Sequence, residues 1–251
     1  MDLGIAGRCA AVAGASGGLG LACAQALAAD GVRVVLCGRD AARAEAAAHD
    51  IRDAGGDAVG LAADVSTIDG AAGFVARAID ALGRLDIVVA NAGGPPAGTF
   101  ASTDVDAYLP ALELNLLSTV AMCKAAVPAM VERGWGRIVA ITSLTVRQPA
   151  ASLILSNTAR AGATGFLKTL AREVAPHGVT VNSVQPGSHD TDRLRELHGG
   201  DLAGAAAGIP AGTVGDPADF GAAVAFLCSE RARFVSGVAL PIDGGAFAGL
   251  Q

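Results

Sequence analysis

Seven short, continuously apolar runs punctuate the chain, at 9–13, 32–37, 58–62, 86–90, 137–142, 179–184 and 238–242, with longer stretches of helical period between them. Runs without polar alternation belong to strands covered on both faces, and each intervening stretch is long enough for a right-handed crossover, so the pattern predicts a parallel sheet. Helix punctuation agrees. Asp40 opens an Ala-rich stretch that reaches Ala54 and is closed by Gly55-Gly56; Gly83 ends a helix from about Asp69, and Gly134 ends one from about Asp104. The expected fold is α/β: one domain over 1–251, a doubly wound, seven-stranded parallel sheet of Rossmann type with helices on both faces. No linker or repeat marks a second domain. The least regular stretch, 188–215, contains Gly, Asp and His and is the candidate substrate lid.

Composition narrows the function classes. A content of 52% hydrophobic and 17% charged residues excludes disorder, and 34 glycines without a three-residue period exclude a fibrous repeat. The net charge of −6, with no run of Lys or Arg, leaves no footprint for nucleic acid or an anionic membrane, so a small-molecule substrate is the expected partner. Five widely spaced cysteines fit neither a disulfide framework nor a zinc site and read as core or surface thiols of a cytoplasmic protein; no metal set is visible. Residues 9–29 carry no charge over a length that could span a bilayer. They are mostly Ala and Gly, include Ser16 and Gln25, and lack a basic flank of the signal-peptide type, so a strand, turn and helix explains them better.

The first strand-to-helix turn reads Ala13-Gly14-Ala15-Ser16-Gly17-Gly18-Leu19-Gly20. The turn residues Gly14, Ser16, Gly18, Leu19 and Gly20, most of them small, would let backbone amides and a helix N-terminus approach a pyrophosphate. At the end of the second strand, where a carboxylate would bind an adenosine 2′-hydroxyl, the chain has Gly38 followed by Arg39. Loss of the acid and gain of a guanidinium argue for NADP(H) over NAD(H).

With these motifs in this order, the chain resembles the short-chain dehydrogenase/reductase family, and within it the subgroup containing β-ketoacyl carrier-protein reductases. Asp64-Val65, Asn91-Ala92-Gly93, Asn115, Ile141-Thr142-Ser143, Asn182, Pro186-Gly187 and Asp243-Gly244-Gly245 carry the resemblance alongside the glycine turn. It implies a cofactor site that also uses Asp64, Val65, Asn91, Ala92, Gly93, Pro186, Gly187 and Thr191, catalytic roles for Asn115 and Ser143, and a homotetramer. The helices containing Asn115 and residues 156–172 would form one interface and the C-terminal strand another.

One departure bears on the chemistry. The family places a Tyr thirteen residues after the catalytic Ser and a Lys four residues further on; counting from Ser143 gives Ser156 and Arg160. The register is fixed by Ala159-Arg160-Ala161-Gly162, which falls where the family shows Ser-Lys-Ala-Gly. An aliphatic hydroxyl is far less acidic than a phenol and does not reach as far, while a guanidinium keeps positive charge but relays no proton. Arg160 is therefore expected to retain a ribose contact. The candidate acids are His189, in the loop after Pro186-Gly187, whose alternative is a solvent-exposed loop residue, and a water held by Ser156. Arg147 and Gln148 are candidates for holding a polar or anionic substrate, with surface exposure as the alternative; Tyr108 reads as a core or interface residue. The expected function is NADP(H)-dependent hydride transfer to or from a carbonyl or imine, with an already protonated iminium favoured over a ketone. The alternatives are a non-redox isomerase, dehydratase or cyclase on this fold, and a nucleotide-binding subunit without chemistry.

Overall fold

The backbone pairs seven strands side by side, all parallel, in the order β3-β2-β1-β4-β5-β6-β7. The computed structural model describes residues 2–250, so the first and last positions of the expected domain lie outside it. The strands are β1 (Cys9–Val12), β2 (Arg33–Gly38), β3 (Asp57–Ala62), β4 (Ile87–Ala90), β5 (Gly136–Ile141), β6 (Val179–Pro186) and β7 (Ala239–Ile242). Each coincides with an expected run to within a residue or two. The helices are α1 (Gly18–Ala29), α2 (Ala41–Asp53), α3 (Ile68–Leu82), α4 (Tyr108–Leu112), α5 (Ser118–Arg133), α6 (Ile154–Val174), α7 (Asp192–Leu197), α8 (Leu202–Ala206) and α9 (Pro217–Leu227).

Two cores sandwich the sheet. On one face Val35, Val88, Ala140 and Val181 meet Phe74 of α3, Met122 and Met130 of α5 and Leu167 of α6. On the other, Val12, Leu36, Val89 and Val184 meet Leu27 of α1, Ile51 of α2 and Phe220 of α9. This two-sided cover is why the strands read as unbroken apolar runs. The order reverses between β1 and β4, and the crevice beyond the carboxyl ends of those strands is where such a sheet places a ligand.

Two segments differ from what their patterns predict. The helix expected from Asp104 to Gly134 is broken by a π-helical turn at Glu113–Leu117, with a 3-10 turn at Val105–Ala107 before it. The candidate lid contains α7 and α8, started by the Thr191 and Asp201 side chains, and its ends are tied by a bridge between His189 and Gly215. By length and composition the helical run Val105–Arg133 could cross a membrane; half of its most apolar window is buried in the core. All five cysteines are buried and free, with burial raising the Cys37 thiol to about 11 and the Cys123 and Cys228 thiols to about 12.

Candidate active site

The glycine turn is built as a cradle. Gly14 and Gly18 adopt positive φ (56° and 59°), which a side chain would strain. A Cβ on Gly20 would lie 2.4 Å from the Gly14 carbonyl oxygen, so α1 can approach β1 only through glycine. Asn91, just after β4, donates from Nδ2 to that same oxygen at 3.0 Å and locks the turn. No side chain caps the N-terminus of α1, leaving its first amides available to an anion. Thr191 Cγ2 would lie 3.8 Å from a Cβ on Gly18, which brings the start of the lid over the cradle.

The side where the sequence leads one to expect the adenosine is built by the ends of β2 and β3. A Cβ on Gly38 would fall 2.4 Å from Ser16 Oγ, so the hydroxyl fills the space that an acidic side chain at 38 would enter. Arg39 is exposed beyond it. Asp64 accepts the Ser66 amide at 3.0 Å; its bonds to Ser66 hold the carboxyl below the usual range, with the Arg39 charge adding to the effect. Val65 is buried beside it. Gly93 has open space over it, and Ala92 is half-buried. Pro186 ends β6, and Gly187 approaches Asp243 so closely that a Cβ would lie 2.8 Å from its Cα.

The reactive end gathers around β4, β5 and the first turns of α6. Asn115 sits in the π-helical turn, 7% exposed, and donates from Nδ2 to the Gly93 carbonyl oxygen at 2.9 Å, while its Oδ1 is buried without a partner. Ser143 Oγ accepts the Thr145 amide at 3.1 Å and lies 3.0 Å from Thr145 Oγ1. With Thr145 as donor in both contacts, the Ser143 proton is free to point at a substrate oxygen or nitrogen. Ser156 is buried one helical turn before Arg160.

Arg160 does not reach outward. Its Nη1 donates to the Thr142 carbonyl oxygen and its Nη2 to Gly93 O at 3.3 Å, while Nε is buried without a partner. Burial lowers its pKa to about 10, still far above neutrality, so it remains a cation. The guanidinium expected at the ribose is thus engaged with the ends of β4 and β5, because its planar fork matches two neighbouring carbonyls.

His189 is not an exposed loop residue. It is 5% exposed, its ring sits edge-on to Phe220 at 5.1 Å, and Nδ1 is 3.2 Å from the Gly187 carbonyl oxygen. Burial lowers its pKa from 6.5, only partly opposed by Gly187 and the charges of Asp216 and Asp243. Arg147 and Gln148 hold the C-terminal segment: Arg147 donates to Ala239 O at 3.0 Å, and Gln148 Oε1 accepts the Ala248 amide at 3.2 Å. Tyr108 is half-buried at the start of α4. Thr145 escaped the sequence motifs, although a hydroxyl two residues after Ser143 marked it as a partner. No cluster of metal ligands occurs among the described residues.

An uncapped glycine cradle, an orphaned buried acceptor on Asn115 and a serine hydroxyl just beyond β5, all at the carboxyl ends of a parallel sheet, fit a nucleotide-dependent enzyme class. The chain belongs to the short-chain dehydrogenase/reductase family: residues 14–246 match the family model described as enoyl-(acyl carrier protein) reductase. It is 34% identical over 246 residues to the 3-oxoacyl-[acyl-carrier-protein] reductase FabG of Vibrio cholerae, covering 98% of this chain and 99% of that one. The solved L-sorbose reductase of Gluconobacter frateurii, in complex with NADPH and L-sorbose, superposes with a TM-score of 0.93 at 32% identity and 100% coverage of both chains. YwfH, an NADPH-dependent reductase of bacilysin biosynthesis, superposes with a TM-score of 0.92 at 28% identity, covering 97% of this chain and 99% of that one.

Proposed function

We propose that the protein is an NADP(H)-dependent oxidoreductase acting on a small molecule, with an active site adapted to acceptors that need no phenolic proton. The observation that carries this reading is the Arg160 fork: a fixed cation on Gly93 O and Thr142 O, beside Ser143 and Asn115, at the position where the family keeps its lysine. NADP(H), when bound, supplies or takes the hydride. The chain's residues would hold it through the turn at Gly14, Ser16, Gly18, Leu19 and Gly20, through Arg39, Asp64, Val65, Asn91, Ala92 and Gly93, and through Pro186, Gly187 and Thr191. The NADPH complex of the L-sorbose reductase supports that assignment.

Ser143 donates a hydrogen bond to the substrate. Arg160 contributes positive charge, and its longer bond, from Nη2 to Gly93, is the one that can be exchanged for a ribose hydroxyl. Asn115 Oδ1 is a free acceptor that can hold a water, and Ser156 is too short to take a phenol's place. His189 is uncharged near neutrality and stays the fallback acid only if the loop after Gly187 opens. An iminium arrives already protonated, whereas a ketone develops oxyanion charge that needs a donor, an effect worth about 10²–10⁴ in rate. This favours an iminium or related electron-poor acceptor.

The lid at 188–215 would select the substrate. The reading also takes the protein to be cytoplasmic and a homotetramer, the assembly being supported by a groove of about 330 Å³ between α5 and α6 and by Phe234, exposed five residues before the half-buried edge strand β7. Incubation of the purified protein with NADPH and a panel of ketones, cyclic imines and conjugated enals, followed by product analysis, tests it. Oxidation of NADPH with a reduced product is expected. Conversion of a substrate with NADPH left intact would instead show a non-redox enzyme.

A further inference from the structure

The glycine turn has a second arginine lying over it, from α2, that the sequence motifs do not reveal. Gly17 has φ 173°, extended backbone that any residue adopts, so its lack of a side chain is not a conformational demand like those at Gly14 and Gly18. A Cβ on Gly17 would meet one neighbouring atom within 4 Å, Nη2 of Arg43, at 3.5 Å. The space over position 17 therefore belongs to a guanidinium reaching in from the first turn of α2.

Several features aim this group at the adenosine end. Asp40 accepts the Ala42 and Arg43 amides at 2.8 and 3.1 Å, which fixes the turn that carries Arg43. Among the described residues neither Arg39 nor Arg43 lies within ion-pair distance of a carboxylate, and both are exposed, with only the longer-range field of Arg39 felt by Asp64. Ser16 Oγ projects across Gly38, where a carboxylate would have repelled a phosphate. Two unpaired guanidinium groups and a hydroxyl thus flank the carboxyl end of β2, the composition of a phosphate-binding corner.

We propose that Arg43 is a second cationic arm for the 2′-phosphate of NADP(H), opposite Arg39, and that Gly17 stays small to let Arg43 lie across the loop. The proposal rests on the NADP(H) reading and adds a specificity-determining residue to it. A phosphate monoester carries close to two negative charges near neutrality, and two arms would compensate them where Arg39 alone would leave about half. NADH, lacking that group, gains nothing from Arg43.

Calorimetric titration of the intact protein with NADPH, NADH, 2′,5′-ADP and 5′-AMP tests this without turnover. Arg43→Ala should weaken NADPH and 2′,5′-ADP about tenfold or more, in line with loss of a charge-assisted contact, while NADH and 5′-AMP change less than about twofold. Moving the arginine to the other wall, as Gly17→Arg with Arg43→Ala, should recover most of the loss. The assignment is overturned if Arg43→Ala binds NADPH as the natural protein does, or loses NADH equally. Arg39→Ala separates the two readings: if it weakens NADPH and Arg43→Ala does not, only the second arm is lost. If the natural protein binds NADH as tightly as NADPH and Arg39→Ala changes neither, the NADP(H) preference fails as well.

Discussion

Asn115 and Arg160 converge on one acceptor, the carbonyl oxygen of Gly93, at 2.9 Å from Nδ2 and 3.3 Å from Nη2. Because the other arm of the same guanidinium holds Thr142 O, position 160 staples the loop after β4 to the residue that follows β5. An ammonium on a flexible stem could satisfy only part of this geometry but could exchange protons, so the fork trades relay chemistry for a fixed charge.

The first expected outcome follows from that trade. Ser156→Tyr combined with Arg160→Lys should raise kcat/KM for simple ketones by about 10² or more relative to cyclic iminium substrates, the scale of a positioned general acid. Parallel steady-state assays on both substrate types check it. Ketone turnover by the natural protein already equal to that of the double variant would remove the imine preference.

Two glycines should respond in opposite directions, one in the cradle and one in α3. Gly20→Ala forces a methyl to 2.4 Å from Gly14 O and 2.9 Å from Asn91 Nδ2, and should cost about 1–3 kcal/mol of stability by overpacking, together with most NADPH affinity. Gly73→Ala, within α3 and facing open space, should instead stabilise by about 0.5–1 kcal/mol through helix propensity. Denaturant melts and nucleotide titration of the two variants provide the comparison.

Acid should act on stability through His189. Its folded pKa lies below 6.5 because burial disfavours the imidazolium. Above pH 6.5 both the folded and the unfolded chain hold it neutral and its contribution is constant. As the pH falls below 6.5 the unfolded chain takes up the proton first, so stability is lost down to the folded pKa. Thermal unfolding between pH 8 and 5 should therefore fall more steeply for the natural protein than for His189→Gln; parallel curves would show that the imidazole titrates freely.

Assembly should depend on the exposed aromatics near β7. Phe234 is fully exposed in the single chain, and Phe234→Asp should shift a tetramer toward dimers in light scattering. A natural protein that is a dilute monomer and still binds NADPH would count against the tetramer.

The strands and their two-sided cover were legible because burial on both faces writes an unbroken apolar run, and the glycine turn because backbone approach admits few residues. Position 160 was legible as an arginine, but the carbonyls of Gly93 and Thr142 that capture it lie on two other segments. His189 looked exposed because the ring that covers it, Phe220, comes thirty-one positions later on α9. Arg147 and Gln148 resembled substrate contacts since their partners, Ala239 and Ala248, belong to the far end of the chain. Arg43 was unremarked because it meets Gly17 only when α2 folds back over the loop.

The π-helical turn at Glu113–Leu117 makes the helical run around it a rod in two phases. One residue beyond the regular α-helical repeat rotates everything on one side by about 100° relative to the other. The α4 half can therefore pack toward α6 while the α5 half packs toward α3 and the sheet, and the seam between the phases is where Asn115 is turned onto Gly93. Deleting a single residue from that turn would restore an uninterrupted helix, and with it swing Tyr108 and the exposed Leu109 to a new bearing, an angular error that no side-chain substitution could undo.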